Sequence, residues 1–331
     1  MAHRKALVLG ATGGIGGEVA RRLKGKGWEI VALHRHAAKR AGADGFDWRQ
    51  GDAMAAAEVM AAAEGASLIV HAVNPPGYRD WDKLVLPMLD NTIAAARAAG
   101  ARVLLPGTVY NYGPDAFPVI DEAAPQNPGT AKGRIRAEME RRLREATATG
   151  VRTLIVRTGD FFGPRAGNNW FAQGLVTPGK PLAAITYPGA LGVSHQWAYL
   201  PDVAETMVRL VEKDWALEPF ATFHMEGHWD EDGTRMIAAI RQASGRPDLP
   251  VRRFPWGLLT LASPFVPLFR ELREMRYLWQ VAVRLTNARL VGTLGSEPRT
   301  PLEAAVRATL ADLDCLEPAK AQWRPRPAEH G

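Results

Sequence analysis

Cysteine is almost absent from this sequence of 331 residues, which contains only Cys315. A single cysteine excludes an intramolecular disulfide and fits a reducing compartment. Long apolar runs are also missing, since the most apolar late segment, 256–269, is too short to span a bilayer and contains two prolines. The residues before Lys5 lack the apolar core of a signal peptide. We therefore expect a cytoplasmic protein without a membrane span.

A continuous basic block, the usual mark of a nucleic-acid-binding surface, is a further absence. The formal net charge is +6 and the isoelectric point is about 9.6, a balance that favours anionic ligands only slightly. In the most basic segment, 134–144, arginines are interspersed with Glu138 and Glu140, as on the solvated face of a helix. We expect a small-molecule substrate and no nucleic-acid partner, and a homodimer remains open.

The first half of the chain does contain a regular alternation of short apolar runs and longer helical patterns, typical of βαβ units around a parallel sheet. The pattern predicts strands at 5–9, 29–33, 67–73, 102–105 and 152–156, and helices at 14–26, 53–63, 81–99 and 132–147. A Pro-rich loop is predicted at 114–128. From Gly159 onward the alternation weakens, and Trp, Phe, Gly and Pro become frequent.

The strongest motif is Gly10-Ala11-Thr12-Gly13-Gly14-Ile15-Gly16, which follows the first predicted strand and opens the first predicted helix. In this context glycine lets the chain turn sharply at Gly10, lets the backbone approach a pyrophosphate at Gly13, and lets the helix pack close to the sheet at Gly16. The N–H groups and dipole of the helix would then hold the phosphates. The predicted phosphate-binding residues are Gly10, Thr12, Gly13, Gly14, Ile15 and Gly16.

These signals predict an α/β fold, a Rossmann-type doubly wound parallel sheet with a smaller C-terminal substrate lobe. We expect a dinucleotide-binding domain over 1–158. A mainly substrate-binding lobe should occupy 159–317, with some segments returning to the Rossmann core. Residues 318–331 should form a loose tail.

With G-x-x-G-x-x-G after its first strand, the chain resembles the short-chain dehydrogenase/reductase superfamily, and its length resembles the extended, epimerase/dehydratase-like branch. The segment 157–164 resembles R-x-x-N-x-Y-G-P, with Asp160 in place of Asn and Phe162 in place of Tyr. The segment 199–204 resembles Y-V-x-D-V-A. The resemblance implies further cofactor-binding residues at Asp52, beside the adenine amine, and at Ala72, Val73 and Asn74.

An acidic residue at the end of the second predicted strand, which would bind the ribose hydroxyls of NAD, is missing. The chain has Leu33-His34-Arg35-His36 there. Arg35 can form two hydrogen bonds to a 2′-phosphate, and His34, His36 or Lys39 can add positive charge. We therefore predict NADP as the cofactor, with NAD less favoured. The alternative is that Arg35 is only a solvated loop charge.

The family's Tyr-x-x-x-Lys pair is also absent, because none of the six tyrosines is followed by a lysine four residues later. Thr108 resembles the family's catalytic Ser/Thr, which orients the substrate oxygen. Aligning 128–140 with P-x-x-x-Y-G-x-S-K-x-x-x-E places Lys132 at the Tyr and Arg136 at the Lys, on one helix face. A register shifted by two would place Thr130 and Arg134 there instead.

Two functions follow from these substitutions. The first is an NADP-dependent oxidoreductase or epimerase/dehydratase-like enzyme acting at an oxygen-bearing carbon, with Lys132 as general acid or base and Arg136 on the ribose. The second is a catalytically silent NAD(P)-binding sensor, in which Lys132 and Arg136 bind only cofactor or solvent. The aromatic residues that suggest a partly apolar substrate pocket are Trp170, Phe171, Trp197, Phe254, Trp256 and Trp279.

Histidines provide weaker signals. His224 and His228 lie four residues apart, but the surrounding pattern is that of a strand entering a turn, so we predict no metal site. His195 is either a pocket residue or an ordinary strand histidine.

Overall fold

The computed structural model describes residues 4–75, 80–167, 169–263 and 267–316. The predicted tail at 318–331 lies outside the described residues. The strands are β1 (Lys5–Leu9), β2 (Glu29–His34), β3 (Asp47–Gln50), β4 (Leu68–His71), β5 (Arg102–Thr108), β6 (Val119–Ile120), β7 (Arg152–Thr158), β8 (Asp160–Phe162), β9 (Ile185–Tyr187), β10 (His195–Tyr199), β11 (Phe220–His224), β12 (His228–Asp230), β13 (Val251–Arg253) and β14 (Arg284–Leu285). The helices are α1 (Gly14–Gly25), α2 (Ala56–Ala62), α3 (Trp81–Ala99), α4 (Ala131–Ala146), α5 (Leu200–Glu212), α6 (Thr234–Ser244), α7 (Trp256–Ala262), α8 (Pro267–Glu274), α9 (Ala288–Leu294) and α10 (Leu302–Asp312).

Seven parallel strands form the central sheet, in the order β11-β7-β5-β4-β1-β2-β3. The chain therefore builds the sheet outward in one direction through β2 and β3, and in the other through β4, β5, β7 and β11. The reversal between β1 and β4 opens a crevice at the carboxyl ends of these strands, where ligands bind in sheets of this kind. The predicted Rossmann-type doubly wound fold is confirmed.

Side chains of β1 alternate between two apolar cores, one on each face of the sheet. Val8 packs with residues of α1 and α5, and Leu7 packs with residues of α2, α3 and α4. Both side chains are fully buried. This burial on both faces explains why the inner strands read as continuous apolar runs in the sequence.

A third apolar core lies in the C-terminal half and surrounds the three-stranded sheet β12-β10-β8. It is rich in aromatic side chains, among them the fully buried Phe162 and Trp197. Cys315, which follows α10, closes one edge of this core, and its Sγ lies 3.5 Å from the carbonyl oxygen of Thr177.

Several predicted boundaries were wrong. The second helix begins at Ala56 rather than at 53, and the strand predicted at 67–73 covers only Leu68–His71. β3 was missed because its sequence, Asp-Trp-Arg-Gln, has no apolar run and the strand lies at the sheet edge. The loop predicted at 114–128 contains the short strand β6. No helix of the described residues is long and apolar enough to cross a bilayer.

Candidate active site

The glycine-rich turn joins β1 to α1 at the sheet crevice. Gly10 adopts a φ of +90°, and its carbonyl accepts a hydrogen bond of 2.9 Å from the N–H of Gly13. A Cβ at Gly10 would collide with the carbonyl of Ala72, and a Cβ at Gly16 would collide with the carbonyl of Gly10. Helix α1 begins at Gly14 without a side-chain cap. This side-chain-free cradle at a helix N-terminus fits a dinucleotide pyrophosphate.

A segment that sequence analysis did not identify lies against this turn. A Cβ at Gly14 would come within 2.7 Å of the carbonyl oxygen of Ala166. The segment is held from both sides, because the Arg165 N–H donates to Asp312 of α10 at 2.7 Å and its guanidinium donates to Glu18 of α1 at 3.1 Å. The turn therefore lies between the sheet and the chain that follows β8.

The end of β2 is positively charged and exposed. The side chain of Gln50 holds this loop, since its Nε2 donates to the carbonyl of Arg35 at 2.5 Å and its Oε1 accepts from the N–H of Ala37 at 3.1 Å. Arg35 and His36 face solvent. Partial burial, followed by the charges of Arg40, His36 and Arg35, lowers the pKa of His34. Gln50 was missed in the sequence because it lies in the unrecognised strand β3.

Asp52 follows β3 at the same edge of the sheet. Its Oδ1 accepts a hydrogen bond of 3.0 Å from the N–H of Met54, and its own N–H donates to Glu58 at 2.7 Å. The Asp52 carboxylate therefore already organises the turn that leads into α2.

A cavity of about 210 Å³ lies at the carboxyl ends of β4 and β5 and beside the glycine-rich turn. It brings Thr108 and the two candidate residues of α4 together with the residues predicted beside the cofactor. The described residues that line it are Ile15, His71, Ala72, Val73, Asn74, Trp81, Pro106, Gly107, Thr108, Tyr110, Lys132, Arg136, Asp160, Phe161, Asn169, Trp170, Gln173, Leu272 and Met275.

The first turn of α4 places Lys132 in this cavity. Thr130 caps the helix by accepting a hydrogen bond of 3.0 Å from the N–H of Gly133. Lys132 is 4% exposed, and its backbone N–H donates to Glu274 of α8 at 3.2 Å. The Arg136 guanidinium lies 5.2 Å from the centroid of the Trp81 ring. Lys132 and Arg136 line the cavity, whereas Arg134 is exposed.

Thr108 ends β5 and lines the same cavity. Its Oγ1 accepts from the N–H of Tyr110 at 3.3 Å and donates to Oδ1 of Asn111 at 3.2 Å. Asn111 donates in turn to Gln126 at 3.0 Å, and Gln126 donates to Glu140 at 2.9 Å. A line of polar side chains thus runs from Thr108 to α4.

The line ends at a buried ion pair. Glu140 accepts two hydrogen bonds from Arg157, one of 2.9 Å from Nε and one of 2.5 Å from Nη2. Nη1 of Arg157 donates to the hydroxyl of Tyr112 at 2.7 Å. His224 lies 2.7 Å from that hydroxyl, and burial together with the charge of Arg157 lowers its pKa to about 3. The sequence suggested that Glu140 lies on a solvated helix face. That prediction was wrong, because Glu140 is buried against Arg157.

Asp160 reaches the cavity from β8 and contacts a histidine behind it. Its Oδ2 lies 3.0 Å from Nε2 of His195. Nδ1 of His195 lies 3.2 Å from the carbonyl oxygen of Leu278, and its ring stacks on Trp279 at 3.8 Å between centroids with 9° between planes. His195 is thus a buried partner of a cavity residue.

His71 ends β4 and forms another part of the wall. Its Nδ1 lies 2.7 Å from Oγ1 of Thr92, which itself donates to the carbonyl of Met88. Because a hydroxyl has one proton, Nδ1 of His71 is the donor. Burial, and to a smaller extent the charge of Arg136, lowers the pKa of His71 to about 3.

The predicted aromatic pocket was largely wrong. Of its six residues, Trp170 lines the cavity, whereas Phe171 and Trp197 are fully buried in the C-terminal core. Trp170 is joined at the cavity wall by Trp81 and Phe161. The remaining three, Phe254, Trp256 and Trp279, line a separate groove of about 670 Å³. Composition identified the aromatic residues but not the wall on which each would lie.

His224 ends β11, and Gly227, with a φ of +59°, turns the chain into β12, as the strand-and-turn pattern predicted. Within the described residues, no group of three or more His, Cys, Asp or Glu side chains is placed to hold a metal ion.

Comparison with known proteins gives matches over most of the chain. The model of the NAD dependent epimerase/dehydratase family matches residues 6–225. A 3-diazoavenalumate denitrifying reductase of a Streptomyces species is 31% identical over 230 residues, which are 63% of this chain and 73% of that protein.

Solved structures resemble the chain over nearly its full length. The Bordetella bronchiseptica enzyme WbmH in complex with NAD+ has a TM-score of 0.69 at 17% identity, with 94% of this chain and 98% of that chain covered. UDP-N-acetylglucosamine 4-epimerase from Bacillus cereus has a TM-score of 0.69 at 14% identity, with 96% and 99% covered. At these identities the likeness shows a shared fold.

Proposed function

Because this chain belongs to the NAD dependent epimerase/dehydratase family, we propose that it is an NADP-dependent oxidoreductase acting at an oxygen-bearing carbon of a small, partly apolar substrate. The observation that supports this proposal is the cavity itself. Its walls combine residues beside the glycine-rich turn with Thr108, Lys132 and apolar side chains such as Trp170 and Leu272. A cofactor and a substrate can therefore meet at one place.

The cofactor would be held along the crevice of the sheet. The glycine-rich turn would bind the pyrophosphate, and Ala72, Val73 and Asn74 would border the nicotinamide side of the cavity. Arg35, in a loop fixed by Gln50, would bind the 2′-phosphate of NADP. Bound nicotinamide supplies or accepts the hydride.

The remaining chemistry would belong to side chains of this chain. Thr108 would orient the substrate oxygen, and Lys132 would move the proton that accompanies the hydride. Arg136, one helical turn along α4, would contact the ribose. Epimerisation and dehydration remain within this proposal, because they begin with the same hydride step.

Substitution of Lys132 tests this assignment. We expect Lys132→Met to keep NADPH binding and to reduce the oxidation of aromatic alcohols with NADP+ by about 100-fold or more, because general acid–base catalysis contributes 10² to 10⁴. The measurement combines calorimetry with the absorbance of the NADPH that forms. Arg134→Met, on the exposed face of the same helix, is the control.

Unchanged turnover in Lys132→Met would contradict the role of this residue. Stoichiometric NADPH binding by the wild-type protein, without turnover of any of these substrates, would instead favour the catalytically silent sensor.

A second candidate function is reductive loss of nitrogen from an aryl diazonium group. The relative's name describes a reductase that removes nitrogen from a diazo compound. When hydride adds to the carbon that bears a diazonium group, the C–N bond breaks and its electron pair leaves with N2, so no oxygen needs a proton. This reaction would fit a site without the family's tyrosine, and Asp160 places a carboxyl group at the cavity wall.

The two candidates differ in their need for Lys132. With benzenediazonium and NADPH, the second candidate predicts benzene and N2 in amounts equal to the NADPH consumed, beyond the reaction without enzyme. The Lys132→Met variant should then keep this activity. Formation of phenol alone, at the rate seen without enzyme, would exclude the second candidate.

A further inference from the structure

Asp160 is the one carboxylate among the described residues that line the cavity. It is 8% exposed, and its Oδ2 contacts His195 at 3.0 Å. Within the described part of the chain, no side chain or backbone group donates to the other oxygen, Oδ1. Oδ1 can therefore accept a hydrogen bond from a ligand in the cavity.

His195 fixes the role of each oxygen. The carbonyl of Leu278 can only accept, so Nδ1 of His195 holds a proton. One further proton lies between Nε2 of His195 and Oδ2 of Asp160. Whichever of the two atoms holds that proton, Oδ2 stays committed to His195 and Oδ1 remains an acceptor. The stacked Trp279 ring holds the imidazole in this position.

The hydroxyl oxygen of Thr108 is also a hydrogen-bond acceptor, and a chain of side chains that begins at Glu140 determines this. Glu140 accepts from Arg157, and its carboxylate requires Gln126 to present its NH2 group. Gln126 then presents its carbonyl to the NH2 group of Asn111, which presents its own carbonyl to Thr108. The proton of Thr108 is therefore directed to Asn111, and its hydroxyl oxygen offers a lone pair.

We propose that the substrate end of the cavity is a hydrogen-bond acceptor site, formed by Oδ1 of Asp160 and Oγ1 of Thr108. It selects a substrate whose polar group donates, a hydroxyl or a protonated amine, on an aromatic or apolar frame that packs on Phe161, Trp170 and Leu272. A group that can only accept hydrogen bonds finds no donor at these two oxygens. This inference rests on the proposed function in placing the cofactor on the opposite side of the cavity.

Ligands that share one ring test the proposal without turnover. Saturation-transfer NMR on the wild-type protein with bound NADP+ compares benzylamine, benzyl alcohol and benzyl methyl ether. We expect the amine and the alcohol to bind about tenfold more tightly than the ether, which cannot donate.

Asp160→Leu removes both carboxylate oxygens and keeps a side chain of similar size. We expect benzylamine to lose about tenfold in affinity and NADP+ binding to stay unchanged. Asp115→Leu, at an exposed carboxylate outside the cavity, is the control and should alter neither affinity.

A second variant, Asn111→Leu, leaves Asp160 in place and releases the Thr108 hydroxyl so that it can donate. We expect the preference for the alcohol over the ether to disappear while benzylamine binding is kept. If the wild-type protein binds no NADP+, the proposed function fails. If NADP+ binds but the ether equals the alcohol, or Asp160→Leu leaves amine affinity unchanged, the acceptor site is wrong.

Discussion

At the scale of single residues, two kinds of charge pair coexist in this molecule. Arg157 and Glu140 are almost fully buried and form two parallel hydrogen bonds. Arg142 and Asp90 meet at the surface at 2.6 Å, where water screens them. Removing one member of the buried pair leaves the other charged in an apolar environment, so the two pairs should respond very differently to substitution.

Glu140→Gln should therefore lower the free energy of unfolding by about 3 to 5 kcal/mol, the range found when a buried ion pair loses one partner. Asp90→Asn should lower it by less than about 1 kcal/mol. Denaturant-induced unfolding followed by circular dichroism measures both variants. Equal losses in the two variants would show that Arg157 finds another partner or water.

Arg35 carries the proposed choice between the two nicotinamide cofactors. Because a charge-assisted hydrogen bond contributes about 1.5 to 3 kcal/mol, Arg35→Ala should weaken NADPH binding by about 10- to 100-fold and leave NADH binding unchanged. Isothermal titration calorimetry provides the affinities. Arg49→Ala, at a half-exposed arginine on β3 that pairs with Asp47, is the control. Equal losses for both cofactors would remove Arg35 from the 2′-phosphate.

At the scale of elements, the sequence predicted those whose pattern is set by burial. α3 was predicted with its observed bounds, and α1 and α4 within one residue, because their apolar spacing matches a single buried face. β3 was not predicted because an edge strand needs no apolar run. The local sequence pattern was therefore enough to predict the Rossmann core and the glycine-rich turn.

The parts of the site that depend on contacts between distant segments were not predictable in the same way. Asp160 and His195 are 35 residues apart, and Arg157 and His224 are 67 apart. The periodicity of apolar residues within one element cannot predict contacts between residues so far apart in the sequence. The alignment with the family pattern did place Lys132 and Arg136 together, because both lie on one helix face.

At the scale of the whole molecule, neutral histidines are buried in both halves. Burial lowers the pKa of His71 and His224 to about 3, and that of His228 to about 4, from an ordinary value of 6.5. Above pH 6.5 the three are neutral in the folded and unfolded states alike. As the pH falls below 6.5, only the unfolded chain takes up protons at these sites, so stability is lost down to the folded pKa values.

We expect the free energy of unfolding to drop by about 3 to 4 kcal/mol between pH 6 and pH 5, since each of the three histidines contributes somewhat over 1 kcal/mol per pH unit. Glu18, Glu138 and Glu205, whose pKa values are lowered, lose their contributions only below about pH 4.5. Urea unfolding at each pH measures the slope. His228→Gln should reduce the slope by about a third, whereas His36→Gln, at an exposed site, should leave it unchanged.

Cys315 closes one edge of the C-terminal core, so the rate at which its thiol is labelled measures how often that edge opens. The thiol is 1% exposed, and burial raises its pKa. A thiol-specific reagent can therefore react only when the chain after α10 detaches, and each molecule reacts once because the sequence has no second cysteine. Since Arg165 links α10 to the loop over the glycine-rich turn, slower labelling in the presence of NADPH would report cofactor binding from the far end of that linkage.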